Sequence, residues 1–239
     1  MNKRIRFFTF SLLLFLIAVG FIVHQKPFAS HSESKSQSNK EQLISNQADD
    51  ISNGESAEGP YKIVIDPGHG GKDPGSIGAN GSYEKDFTLS LAMEVYHLLE
   101  KVPQIEVYMT RDKDIFLSAE ARVRPNFAND LGADLFISIH ANTFTDPSVS
   151  GTESYYYHQN SLSLANIIHK HVVEATGFRN RGAKKENYFV LKDTNMPAIL
   201  LEIGYITNPE DEQTMLTNEF QQAVAKAINE GILEYLEID

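Results

Sequence analysis

The sequence has 239 residues, a hydrophobic fraction of 41%, no cysteine and a formal net charge of -11 at pH 7. This length and apolar content suffice for one folded domain with accessory segments, which argues against a wholly disordered chain. The acidic balance argues against nucleic-acid binding, which requires clustered basic side chains to replace counterions on phosphate. Without cysteine the chain has no disulfide and no thiolate nucleophile, so any zinc site must use histidine or carboxylate ligands.

Residues 1–30 have the pattern of an export segment. Basic side chains within residues 1–6 precede an uninterrupted apolar run from Phe7 to Val23. A basic flank before such a run predicts that the N-terminus stays inside and that the rest of the chain lies outside the membrane. The cleavage pattern is poor, because Pro27 stands two positions before Ala29. We therefore favour a membrane anchor over a removed signal peptide, and expect an extracytoplasmic protein that is either anchored or secreted.

Residues 31–59 are rich in Ser, Asn, Gln, Glu and Asp and nearly free of aromatic side chains. Such a composition cannot bury enough apolar surface to fold, so we predict a disordered tether. The texture changes at Tyr61, where short apolar runs begin to alternate with amphipathic stretches of helical length. Residues 60–239 are therefore predicted to form a single folded domain.

The predicted elements of this domain alternate between strand and helix. In chain order they are the strand Lys62–Asp66, the helix Glu84–Lys101, the strand Ile105–Thr110, the helix Ser118–Leu131, the strands Leu135–His140 and Thr152–Tyr157, the helix Leu162–Thr176, the strands Tyr188–Leu191 and Ala198–Ile203, and the helices Pro209–Leu216 and Glu219–Leu236. Pro125 either bends its helix or delays its start. The alternation predicts an α/β fold with a mostly parallel, roughly six-stranded sheet and helices on both faces.

Two histidines stand where predicted strands end. The first strand runs into Asp66-Pro67-Gly68-His69-Gly70-Gly71, and the third ends at His140. Ligands of parallel α/β sheets bind beyond the carboxyl ends of the strands, so both imidazoles are expected at one edge. A lone histidine in a turn would be interpreted as a structural residue, but two at neighbouring strand ends favour a metal site. Asp66 either accepts an N–H from a ligating imidazole or forms the turn before Pro67.

Two glutamates are further candidates. Glu202 lies inside the apolar run Ala-Ile-Leu-Leu-Glu-Ile, where burying an unpaired carboxylate is costly. We favour a role in chemistry over the alternative of a structural ion pair with Arg181 or Arg122. Glu84 opens the first helix after a loop rich in Gly and Ser. The residues alone leave open whether it binds a metal or only complements the helix dipole.

The segments DPGHGGKDPGSIGANGSYEKD, ADLFISIHAN and PAILLEIGYITN resemble the zinc-dependent N-acetylmuramoyl-L-alanine amidases of the amidase-3 type. The motifs recur in order with suitable spacing, and the resemblance extends from about Tyr61 to Leu236. It implies one Zn²⁺ held by His69, Glu84 and His140. It also implies that Glu202 is the catalytic carboxylate, which takes a proton from water and passes one to the leaving amine.

The resemblance further implies a substrate, the amide between N-acetylmuramic acid and L-alanine in peptidoglycan. Two alternatives remain at this level: a zinc peptidase acting on the stem peptide, and a non-catalytic wall-binding module. Some similar proteins carry an inhibitory helix after the strand that follows SIHAN. In this sequence Tyr157 leads almost directly to the helix that begins near Leu162, so we expect no activator that releases such a helix.

Overall fold

The computed structural model describes residues 59–239. The predicted export segment and the predicted tether, apart from Gly59, lie outside the described residues. Among residues 59–239 no helix combines the length and the apolar character needed to cross a bilayer.

The described part of the chain contains six strands and six α-helices. The strands are β1 (Tyr61–Pro67), β2 (Ile105–Met109), β3 (Leu135–Asn142), β4 (Thr152–Tyr156), β5 (Asn180–Lys185) and β6 (Ala198–Tyr205). The helices are α1 (Glu84–Leu99), α2 (Val123–Leu131), α3 (Leu162–Thr176), α4 (Phe189–Lys192), α5 (Pro209–Met215) and α6 (Asn218–Leu236).

All six strands form one sheet in the order β2-β1-β3-β6-β4-β5. Neighbouring strands are parallel except β4 and β6, which are antiparallel. The strands β4 and β5 therefore run together against the direction of the other four. The predicted fold class, a single α/β domain with a mostly parallel sheet between helices, is confirmed.

The two faces of the sheet are covered by helices of different length. The long helices α1, α3 and α6 pack on one face, where Leu91, Ile168 and Ile228 are fully buried. The short helices α2 and α4 cover the other face, where the apolar cluster includes Phe136 and Leu200. Residues two apart in a strand share a face, so His140 and Glu202 project from the second face.

Two predicted elements need correction, and one strand was not predicted. The predicted strand Tyr188–Leu191 is wrong, because Phe189–Lys192 forms the helix α4, with Leu191 and Lys192 donating backbone hydrogen bonds to the Tyr188 carbonyl. Its aromatic and branched residues pack onto the sheet face instead of joining the sheet. Strand β5 was missed because its sequence NRGAKK lacks apolar alternation; it is an edge strand paired only with β4. Helix α2 begins at Val123, so Pro125 delays the start as one alternative predicted.

Candidate active site

The loop after β1 places His69 by means of unusual backbone geometry. His69 adopts a left-handed conformation with φ of 60°, and Gly70 and Gly71 follow with positive φ. A non-glycine residue in this region is uncommon and persists only where its surroundings hold it. Gly68 lies against the imidazole of His140, and a Cβ at that position would collide with the ring. The glycines thus let the loop turn sharply and approach His140 closely.

Two buried arginines hold this loop by its carbonyl oxygens. Arg124 donates to the carbonyls of Pro67 and His69 at 2.7 and 2.5 Å. Arg111 donates to the carbonyls of Pro67 and Gly68 at 3.0 and 2.7 Å. These bonds satisfy backbone acceptors that a buried loop would otherwise leave unpaired. The two arginines therefore stabilise the strained conformation of His69 through hydrogen bonds to the loop carbonyls.

Asp66 belongs to this support and does not contact an imidazole. It is fully buried within β1, pairs with Arg124 at 2.5 Å and accepts hydrogen bonds from Thr110 and Ser138. Burial alone would raise the pKa of Asp66, but Arg124 and the two hydroxyl donors together hold that pKa below its usual range. The structure shows neither predicted role of Asp66, because its carboxylate is bound by Arg124, Thr110 and Ser138 and β1 continues through Pro67.

His69, Glu84 and His140 lie together at the carboxyl edge of the sheet. Glu84 Oε1 lies 3.2 Å from His69 Nε2 and 2.9 Å from His140 Nδ1. The two imidazole rings meet edge to face with centroids 4.9 Å apart. One ligand atom from each residue lies within 4.8 Å of the others, which is a spacing able to hold a metal ion. Two imidazoles with one carboxylate form a set that proteins use for catalytic zinc, with a further position left for water.

Glu84 is the most firmly held member of the cluster. It is buried at the first position of α1, and its carboxylate accepts hydrogen bonds from the backbone N–H groups of Ser76 and Ala141. Burial alone would raise the pKa of Glu84, but the hydrogen bonds and charges of His140 and His69 hold it well below its usual range. Glu84 is therefore an anion at any physiological pH, as a metal ligand must be.

Asp73 contributes to the site and was missed by the sequence reasoning. Its Oδ2 lies 3.0 Å from His69 Nδ1, the ring nitrogen that faces away from Glu84. A carboxylate at that nitrogen fixes the orientation of a ligating imidazole and directs the other nitrogen toward a metal. The available indication was a carboxylate four residues after His69, across a turn closed by Gly70 and Asp73 backbone bonds.

Glu202 lies directly beside the cluster on the neighbouring strand. It is the register partner of His140 in the parallel β3–β6 pair. Its Oε2 is buried and has no hydrogen-bond partner among the described residues. Burial, with the nearby charges of Glu84 and Glu153, raises the pKa of Glu202 well above its ordinary value. The alternative ion pairs do not form, because Arg181 lies near Glu153 and Arg122 pairs with Asp193.

A cavity of about 260 Å³ opens over these residues. One side is polar, with His69, Asp73, His140 and Glu202. The rest of the lining forms a largely apolar wall. Its members come from the loop before α2 and from the segment around α4: Leu117, Ala119, Tyr188, Phe189 and Val190. The sequence reasoning missed this wall because it interpreted Tyr188–Leu191 as a strand.

Comparison with known protein families matches residues 63–234 to the amidase-3 family, described as N-acetylmuramoyl-L-alanine amidase. Among curated proteins the chain is similar to the probable cell wall amidase LytH of Staphylococcus aureus, with 39% identity over 176 residues. That match covers 72% of this chain and 57% of LytH, so the chain spans little more than half the length of this relative.

Solved structures agree in fold. The catalytic domain of the amidase CwlV from Bacillus (Paenibacillus) polymyxa var. colistinus is 42% identical, with a TM-score of 0.73, over 75% of this chain and 99% of that one. An N-acetylmuramoyl-L-alanine amidase from Clostridium difficile 630 is 35% identical, with a TM-score of 0.72, over 74% and 97%. With its fold, its three converging motifs and these relatives, the chain belongs to the amidase-3 family of N-acetylmuramoyl-L-alanine amidases.

Proposed function

We propose that this chain hydrolyses the amide bond between N-acetylmuramic acid and L-alanine in peptidoglycan, with one zinc ion held by His69, Glu84 and His140. The observation that carries the proposal is the position of Glu202 on the strand next to His140. One of its carboxylate oxygens is buried and has no hydrogen-bond partner within residues 59–239. Leaving such a group unsatisfied is costly, which supports a role that only substrate or water completes. Family membership supports the identity of the bond.

The donor set fits zinc by its chemistry. Two imidazoles and one carboxylate are the borderline-soft and hard ligands of three-ligand catalytic sites, and Asp73 supplies the carboxylate behind His69. When bound, zinc would polarise the scissile carbonyl and make water more acidic.

Glu202 is proposed to transfer the protons of the reaction. In its ionised form it takes a proton from the attacking water, and it then delivers that proton to the nitrogen of the departing alanine. Burial and the neighbouring carboxylates raise the pKa of Glu202, which makes its ionised form a stronger base toward water.

We also propose that the protein acts outside the cytoplasmic membrane. The relative LytH is described as a probable cell wall amidase. The basic and apolar pattern of residues 1–30 supports export, with the apolar run either retained as an anchor or removed. Detection of full-length protein in the membrane fraction would favour the anchor, whereas a shortened protein in the medium would favour cleavage.

The proposed enzyme needs no partner to release an inhibitory helix. Only Tyr157 and His158 separate β4 from the 3-10 turn Gln159–Ser161 that leads into α3. That connection is too short to carry an additional helix across the site. If purified protein with zinc stayed inactive until a second protein was added, this part of the proposal would be abandoned.

The central experiment is digestion of purified peptidoglycan by the full chain, with added zinc and with a chelator. New amino groups are labelled and identified. Free N-terminal alanine, produced only with metal, supports the amidase. A different new N-terminal residue would support the stem-peptide peptidase, and binding to the polymer without any new amine would support a wall-binding module.

A further inference from the structure

A second buried carboxylate, Glu153, lies beside Glu202. Glu153 is the register partner of Glu202 across the antiparallel β4–β6 pair, so both side chains project from the same face of the sheet. Unlike Glu202, it is fully satisfied. It accepts hydrogen bonds from the hydroxyls of Tyr155 and Tyr205. A row of largely buried charged side chains thus continues from the metal cluster past Glu202 toward the edge of the sheet.

Glu153 holds two cations from the edge strand β5. Lys184 Nζ lies 3.2 Å from Glu153 Oε2, and Arg181 Nε lies 3.8 Å from Glu153 Oε1. Arg181 Nε also donates to the Ser150 carbonyl at 2.7 Å, and its guanidinium stacks over the Tyr205 ring at 5.1 Å. These contacts fix Arg181 at one nitrogen. Its two terminal nitrogens have no hydrogen-bond partner within residues 59–239.

The cation pair is connected to the cavity by aromatic side chains. Tyr188 lines the cavity together with Glu202, and its ring packs edge to face on Tyr155 at 5.3 Å. Tyr155 in turn donates its hydroxyl to Glu153. Two cations thus face the Glu153 carboxylate, in a region that also holds the carboxylates of Glu202 and Asp211. The terminal N–H groups of Arg181 can donate charge-assisted hydrogen bonds to an anionic group of a ligand.

We infer that Arg181 and Lys184 form a subsite for a carboxylate of the leaving peptide, on the second residue after the scissile amide. The inference rests on the proposed amidase function. Strand β5 lies two strands from β6, about 10 Å at the usual spacing, and the arginine side chain reaches back toward Glu153. Two extended residues span roughly 7 Å. A carboxylate two residues beyond a bond at Glu202 therefore comes within reach of the guanidinium.

The test uses the full chain with zinc and two muramoyl dipeptides that differ only in whether the second residue carries a free carboxylate or the corresponding amide. The wild type should prefer the free carboxylate. Arg181→Gln should lower kcat/KM for that substrate about tenfold, mainly through KM, because a charge-assisted hydrogen bond is lost. The same variant should cleave the amide substrate within about twofold of the wild type. Lys184→Gln should show the same selectivity with a smaller loss.

The matched control is Arg179→Gln. Arg179 is an exposed cation just before β5, and its side chain makes no hydrogen bond or ion pair within residues 59–239. Its loss changes the net charge equally and should leave both substrates unaffected. Equal losses on both substrates in Arg181→Gln would assign the residue to the stability of the sheet edge and overturn the subsite. A wild type that cleaves both substrates equally would also overturn it. A wild type that releases no alanine amine from either substrate would instead refute the proposed function.

Discussion

The two faces of the sheet differ in how much charge they bury. The face under α1, α3 and α6 is almost entirely apolar, with Ile63, Leu91 and Ile228 removed from solvent. The face under α2 and α4 buries charged groups as well as apolar ones, including Asp66, Arg124 and Glu153. The first face gains stability from area removed from water. On the second face, burying charged side chains costs free energy, but it positions those side chains beside the proposed metal and substrate sites.

The free-energy cost of burying charge is not the same for every carboxylate on the second face. Asp66 and Glu153 each accept several hydrogen bonds, whereas Glu202 Oε2 accepts none from the described part of the chain. Natural sites concentrate unsatisfied groups where chemistry occurs, so one exception among satisfied carboxylates is informative. Substitutions on the two faces should accordingly separate loss of activity from loss of stability.

The largest expected effect is on activity alone. Glu202→Gln should lower hydrolysis by about 10² to 10⁴-fold, because proton transfer is lost, while zinc content stays unchanged. Amine release and metal analysis measure the two quantities. Retained hydrolysis would remove Glu202 from its proposed role.

The same variant has a pH signature in stability. Burial, then the charges of Glu84 and Glu153, raise the pKa of Glu202 above the ordinary value of 4.5. The stability that protonated Glu202 contributes is fully present below its unfolded pKa and is lost as pH rises through the folded pKa. Metal-free Glu202→Gln should therefore gain stability over the wild type at neutral pH and lose that advantage near about pH 4. An advantage independent of pH would contradict this.

The next effect is on stability from the charged face. Asp66→Asn leaves the buried Arg124 without its anion and should cost about 3–5 kcal/mol in the free energy of unfolding. Denaturant unfolding measures it. The wild-type pair should lose its contribution as pH falls through the lowered pKa of Asp66, since Arg124 and the hydrogen bonds outweigh burial. The exposed Asp130→Asn is the control and should change stability by less than about 0.5 kcal/mol.

A comparable change on the apolar face should leave the site intact. Ile228→Ala on α6 removes a fully buried side chain and should cost roughly 2–5 kcal/mol, through lost burial and a residual cavity. Zinc affinity at low temperature should be unchanged, because α6 carries no site residue. Weakened zinc binding in a folded variant would show that the two faces are coupled.

The smallest effect concerns the orientation of a ligand. Asp73→Asn weakens the contact with His69 Nδ1 and should reduce zinc affinity about 10- to 100-fold, with little change in unfolding free energy because Asp73 is about half exposed. Competition with a chromophoric chelator measures the affinity. Asp112→Asn, an exposed carboxylate in another loop, is the control. Equal affinity in the two variants would remove Asp73 from the site.

Local pattern was sufficient for much of the fold and for the site residues. The helices α1, α3 and α6 carry apolar stripes, and β1, β3 and β6 are apolar runs with His69, His140 and Glu202 at or near their carboxyl ends. Parallel strands share one carboxyl edge, so their terminal residues meet whatever the details of packing. Glu84 needed the family resemblance, because a carboxylate at a helix start has an ordinary local explanation.

The reversed pair β4–β5, the helix α4 and the partners of Asp66 and Glu153 were decided only by the tertiary structure. Strand β5 lacks apolar alternation and exists through its pairing with β4. The partners of Asp66 lie between 44 and 72 residues away along the chain. Glu153 accepts a hydrogen bond from Tyr205, which is 52 residues away. The sequence by itself determined which side chains stand at strand ends, because that follows from local periodicity. Which buried charges find partners depends on strand register and on packing across the sheet, and neither can be predicted from local sequence pattern.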